Sequence, residues 1–171
     1  MDNNCWLPSL EPYNKYGSDW TAYENALYKI FSDDFIQDKP YFYDMPVNIR
    51  KHPIEFGKEE AFFHVTCSHG KDYKDRVPDF RRCERIRWVR AFIDNYDCDP
   101  DLCENCDGIK LWKQDYHGKN RFFFLFEEER YVVIIEERDE YYLLITAYYV
   151  DYNHSLRKLL KEYDKYCSNG S

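Results

Sequence analysis

The run YYLLITAYYV at residues 141–150 constrains this chain more than any other segment. It is almost continuously apolar, as a central strand covered on both faces must be. Three further β-rich runs precede it, at 109–113, 121–126 and 131–136, each separated from the next by a short polar turn. Four such runs in succession predict an antiparallel meander. Helical patterns frame it. Ser18 and Asp19 offer an N-cap for a helix through about Phe35, with Trp20, Tyr23, Leu27, Ile30 and Phe31 at helical spacing. Ala61–Thr66 reads as a strand. Pro78-Asp79 opens a second helix to about Asn95, and His154–Tyr166 closes the chain as an amphipathic helix carrying Leu156, Leu159, Leu160 and Tyr163 on one side. Helices, then strands, then one helix define an α+β layer fold: helices packed on a four-stranded or slightly larger antiparallel meander sheet, with a C-terminal helix.

A length of 171 residues suits one domain. The division expected is an N-terminal helical extension over residues 1–40, a single α+β domain over 41–166, and a tail at 167–171. No run of 18 or more apolar residues exists, so no membrane partner is expected. The opening MDNNCWLPSL lacks the basic and apolar regions of a secretory signal, and seven cysteines in irregular positions make a poor disulfide framework. A cytoplasmic location with reduced thiols follows as the expectation. The formal net charge of −8 argues against a nonspecific nucleic-acid binder, although the field at a cleft depends on the charges near it.

Those charges are clustered. The segment KDRVPDFRRCERIRWVR at 74–90 concentrates basic residues: Lys74, Arg76, Arg81, Arg82, Arg85, Arg87 and Arg90. On a helix, Arg81 and Arg85 share a flank with Trp88, whereas Arg82 falls in line with Ile86, Val89 and Ile93, the best core stripe. Arg82 is therefore expected to be partly buried and to need an anion, either a carboxylate or a bound phosphate. The segment has two readings, an ion-pair network on a solvated helix or a phosphate-binding surface. His64 lies in an apolar run with Thr66 two residues on, and imidazole moves protons near neutrality without a metal. Thr146 and Tyr148 alternate along the last strand, so both side chains emerge on one face, where they would donate to phosphate oxygens. Cys98, Cys103 and Cys106 with His117 downstream form half of a zinc pattern, but no second pair follows at the usual spacing, and a plain loop is the stronger reading. No Gly-rich phosphate loop, GxSxG or HExxH is present, and no cofactor is expected. The simplest chemistry for His, Arg, Thr and Tyr alone is phosphodiester cleavage with the RNA 2′-hydroxyl as internal nucleophile.

The blocks FFHVT, RVPDFRRCERIRWVRAFIDN, LLITAYYV and HSLRKLLKEYDKY resemble a bacterial and prophage-encoded family of the barnase–EndoU–colicin–RelE group of ribonuclease-like folds. The resemblance covers roughly Pro46 to Tyr166. It implies a small, toxin-like, metal-independent ribonuclease with RNA as partner and an antitoxin-like or phage protein as a second one. His64 would be general acid or base, and Arg85, with Arg81 or Arg82, would stabilise the phosphorane. Thr146 and Tyr148 would orient the scissile phosphate. Trp88, His154 and Lys158 complete the expected substrate-binding set, and Tyr148 or His154 would protonate the leaving oxygen. The acidic net charge and the Cys98–Cys106 insertion depart from that pattern. The alternative is a non-catalytic RNA- or protein-binding module, or a phage–host interaction protein, using the same basic face.

Overall fold

The computed structural model describes residues 6–69, 75–102 and 106–170. The Asp19 side chain caps helix α1 (Trp20–Ser32) by accepting from the Ala22 amide at 3.2 Å, satisfying one of the donors that every helix start leaves unpaired. Tyr23, Leu27, Ile30 and Phe31 are buried at the spacing read from the sequence. A π turn, Asp33–Gln37, then leads to a hairpin of β1 (Tyr41–Phe42) and β2 (Met45–Asn48).

Ala61–Thr66, expected as a strand, is helical and forms most of α2 (Glu60–Thr66). Every residue of α2 except His64 is buried. A short run buried on nearly all sides carries no period by which to tell helix from strand, so tertiary packing decides it. After α2, β3 (Cys67–Ser68) pairs with β4 (Val77–Pro78) as a small separate sheet.

The second expected helix begins where the sequence places it. The Asp79 carboxylate accepts from the amides of Arg81 and Arg82. It is nevertheless two helices, α3 (Phe80–Cys83) and α4 (Ile86–Asp94). In an unbroken helix the Trp88 amide would bond the Glu84 carbonyl. Here that carbonyl accepts from the Glu11 amide at 2.8 Å, and Trp88 bonds Arg85 instead. An N-terminal segment crossing the helix thus competes for its hydrogen bond and breaks it.

The meander is present as β5 (Lys110–Tyr116), β6 (Lys119–Phe126), β7 (Tyr131–Glu137) and β8 (Tyr142–Tyr149). His117 and Gly118 both take positive φ in the first turn, as a two-residue hairpin loop requires. The sheet, however, has six strands in the order β1-β2-β8-β7-β6-β5, and it is mixed. β2 lies parallel to β8, with Val47 opposite Tyr142 and Asn48 opposite Leu143. Without β2 the strand β8 would end the sheet with its backbone groups unpaired. β2 pairs with only two of its residues, and α2 and α3 pack against β8 as well. A bulge leaves Ile145 between the Ile134–Thr146 and Ile135–Leu144 pairs.

Both faces of the sheet are covered. The larger core joins Tyr23, Leu27 and Phe31 of α1, Phe62 of α2 and Phe92 of α4 to Phe124, Tyr131 and Leu144 of the sheet. On the other face, Leu156, Leu159, Leu160 and Tyr163 of α5 (Asn153–Asn169) pack on Trp112, Leu125, Val132 and Ile134. Of the tail expected at 167–171, residues 167–169 are the last turn of α5 and Gly170 caps it, and Ser171 lies outside the described residues.

Candidate functional site

Helix geometry sets residues four apart on one face. On α2 this brings His64 Nε2 to 3.2 Å from Glu60 Oε1. Glu60 is 6% exposed, and a carboxylate so buried needs a cation. Arg76, just before β4, supplies one. Its Nη1 lies 3.1 Å from both Glu60 oxygens, its Nη2 is 2.5 Å from Glu55, and its guanidinium stands 4.2 Å above the Phe63 ring. The His69 ring lies 5.0 Å from that of His64, centroid to centroid.

Burial depresses the proton affinity of both imidazoles. At His64 the Glu60 charge opposes burial, while His69, Arg50 and Arg76 reinforce it. At His69 burial acts first and the cations Arg82 and Arg76 add to it, against Glu60. Both rings are therefore mainly neutral at pH 7. Nε2 is the ring nitrogen that faces Glu60, so a neutral His64 with its proton there leaves Nδ1 as the acceptor.

One backbone atom gathers most of the residues singled out in the sequence. The His64 carbonyl accepts from Thr146 Oγ1 and from Arg82 Nη1, each at 3.0 Å. Arg82 lies over the Tyr148 ring at 5.5 Å. Burial raises the Tyr148 phenol above its ordinary value, against the pull of Arg82. His64, Arg82, Thr146 and Tyr148 are thus brought together. The Thr146 hydroxyl is spent on anchoring α2 to β8. Arg82 is as buried as its place in the core stripe implied: its side chain is 15% exposed, its anion is Asp79 at 3.6 Å, and its Nε has no hydrogen-bond partner among the described residues.

Arg81, Arg85 and Trp88 lie elsewhere. Arg85 donates to Glu84 at 2.6 Å and to the Arg81 carbonyl, between the rings of Trp88 and Tyr149. Arg81 pairs with Asp151 above Tyr149. Successive strand residues point to opposite faces, so Tyr148 under Arg82 and Tyr149 under Arg81 and Arg85 part the two groups. Trp88 is 3% exposed and donates its indole N–H to Pro8, so it is a core residue. His154 and Lys158 line a third region, a cleft of about 520 Å³ beside α5 that Tyr148 also lines.

Among the described residues no group of three or more His, Cys, Asp or Glu is placed to hold a metal ion. Cys103 lies outside those residues, and His117 sits in the β5–β6 turn against the Tyr116 ring. No described helix is long and apolar enough to cross a membrane.

Glu60 was missed in the sequence, Arg76 was read only as one member of the basic segment, and His69 was set behind His64 as a turn residue beside a glycine. The signal for the first was the four-residue spacing from Glu60 to His64, which is informative only on a helix. No family model, curated protein or solved structure matches the chain.

Proposed function

We propose that this chain is an RNA endonuclease that needs no metal, cleaving through the ribose 2′-hydroxyl to a 2′,3′-cyclic phosphate and a 5′-hydroxyl. The observation that supports this reading is the pair of mainly neutral imidazoles, His64 and His69, 5.0 Å apart in the field of Arg50, Arg76 and Arg82. Transphosphorylation needs a base, an acid and positive charge near the phosphate.

His64 is the base. Its Nδ1 takes the 2′-hydroxyl proton, and the buried Glu60 at Nε2 stabilises the imidazolium that forms, as the third member of a nucleophile–base–carboxylate triad does. The 2′-oxygen attacks phosphorus, the P–O5′ bond breaks, and His69, entering protonated, gives its proton to the departing 5′-oxygen. Arg82 stands beside both histidines and carries the charge-stabilising role that the resemblance assigns to Arg85. Thr146 acts through the His64 backbone and is a positioning residue.

The test is incubation of the purified chain with end-labelled RNA in EDTA between pH 5 and 8. Cyclic-phosphate ends are expected, and His64→Ala or His69→Ala should each lower the rate by about 10²-fold or more. Arg82→Ala should cost more than Arg85→Ala. Retention of RNA without cyclic ends, or cleavage indifferent to both histidines, would sink the reading and leave an RNA-binding module.

A further inference from the structure

The cleft beside α5 is absent from the proton-transfer chemistry above, yet its walls have a definite chemical character. We propose that it seats one unpaired RNA base with its phosphate, next to the nucleotide that is cut; this rests on the ribonuclease reading. The cleft, about 520 Å³, is lined by Tyr116, Arg121, Tyr148, His154, Lys158 and Glu162, among others. Tyr116 is 47% exposed, and the Arg121 guanidinium carbon stands 3.6 Å from its ring centroid. A guanidinium held over a ring is itself a surface on which a splayed base stacks.

Arg121 is fixed in place rather than free to wander. Its Nε is 2.8 Å from Glu136, a residue 3% exposed, and the same carboxylate is approached by Arg138 at 2.7 Å and by Lys119 at 3.9 Å. Three cations share this one buried carboxylate, while Glu137 stands beside them on Asn120. Across the cleft, His154, Lys158 and Glu162 follow one another at intervals of one turn along α5. Lys158 has no ion-pair partner among the described residues, so it is available to a phosphate. Glu162 is an acceptor for the N–H groups of a base edge.

Aromatic faces, cations and one acceptor around a volume of this size fit a nucleotide unit better than a peptide, and an unpaired base better than a duplex. The link to the reaction is Tyr148. Its side chain lines the cleft, and its ring carries Arg82, whose Nη1 bonds the His64 carbonyl. A strand whose base sits in the cleft therefore passes its backbone toward the two histidines.

The experiment uses the full chain carrying both His64→Ala and His69→Ala, so that RNA is held without being cut, titrated with a short single-stranded RNA. Tyr116→Ala and Lys158→Ala should each weaken binding about 10-fold, whereas Lys29→Ala, on the surface of α1 away from the cleft, should leave it within twofold. In the chain with intact histidines the same two substitutions should raise KM for RNA while kcat changes little. Equal affinity for a duplex of the same sequence would overturn the proposal. So would unchanged affinity and KM in both cleft variants while cleavage still depends on His64, and in that case the ribonuclease reading stands. Binding that depends on the cleft, with no cyclic-phosphate product at any pH, supports the seat and sinks the reaction instead.

Discussion

Glu60 does two things at once, and a single substitution separates them. It raises the proton affinity of His64, against burial and the charges of His69, Arg50 and Arg76. It also neutralises Arg76, whose side chain is 8% exposed. Glu60→Gln should therefore lower the His64 pKa further and carry the acid limb of kcat/KM to lower pH. It should also destabilise the fold by about 3 kcal/mol, because Arg76 loses its buried anion and keeps Glu55, which is 35% exposed. Both effects can be read on one protein, from a pH–rate profile and a denaturant melt. The parent profile has its own expected shape. The base works neutral and the acid works protonated, and both imidazoles lie below their ordinary value, so the kcat/KM bell should peak below about pH 6.5. An optimum above pH 7.5 would exclude this pair as base and acid. The same depression makes stability fall as pH drops below 6.5 through the folded value of His64, because the unfolded chain then binds more protons than the native one. Thr146→Val removes one of the two donors to the His64 carbonyl. It should cost about 1 kcal/mol of stability and lower kcat more than it changes KM, with the pH optimum unmoved.

At the scale of elements, the turn after α1 holds a carboxyl group at odds with its surroundings. Burial raises Asp34 from 3.8 to about 6, even with Arg90 and Arg87 nearby to lower it. The native state therefore keeps a proton that the unfolded chain has lost. The favourable contribution is complete below pH 3.8 and disappears as pH rises through about 6. Asp34→Asn should raise the melting temperature at pH 7 by a few degrees, on the order of 1 kcal/mol for a half-buried side chain, and should do nothing or slightly harm at pH 4. An equal shift at both pH values would show that the charge is not the cause. The elements also show what the sequence could and could not display. β5 to β8 were legible because apolar, β-rich runs separated by short polar turns are local signals, even where both faces are covered and burial has no period of two, as along β7. β2 was not, because a four-residue strand that pairs across most of the chain with β8 announces itself by nothing nearby. Reading Ala61–Thr66 as a strand had the largest consequence. It put His64 in the right neighbourhood with the wrong companions, since Glu60 faces His64 only on a helix. The gathering of His64, Arg82, Thr146 and Tyr148 was half legible: the residues were named, but the backbone carbonyl that joins them has no signature in side-chain identity.

For the molecule as a whole, the question with a measurable answer is whether the first forty residues are an extension or part of the fold. The sequence suggested an extension. The packing places Tyr23, Leu27, Ile30, Phe31 and Phe35 in the same core as Phe42, Phe62, Phe92 and Phe124, and all five are 9% exposed or less. Burying a side chain of this size is worth about 1.5–3 kcal/mol, so the five together contribute about 10 kcal/mol. That equals the whole net stability of an ordinary domain, about 5–15 kcal/mol. The segment before α1 adds specific ties: the Glu11 amide to the Glu84 carbonyl, the Trp88 indole to Pro8, and the nearly buried Glu11 carboxylate to Lys15 and Arg87. The first of these is also what breaks α3 from α4. A chain beginning at residue 41 would lose the α1 half of its core and the contact that interrupts the arginine-bearing helix just after Arg82. Such a truncation should show no cooperative thermal transition and no near-ultraviolet circular dichroism, and residual RNA binding, if any, should not depend on Arg82. A truncated chain that melts cooperatively within a few degrees of the full one would mean that α1 only rests on a domain complete without it, and that the break at Glu84 is written into the helix itself.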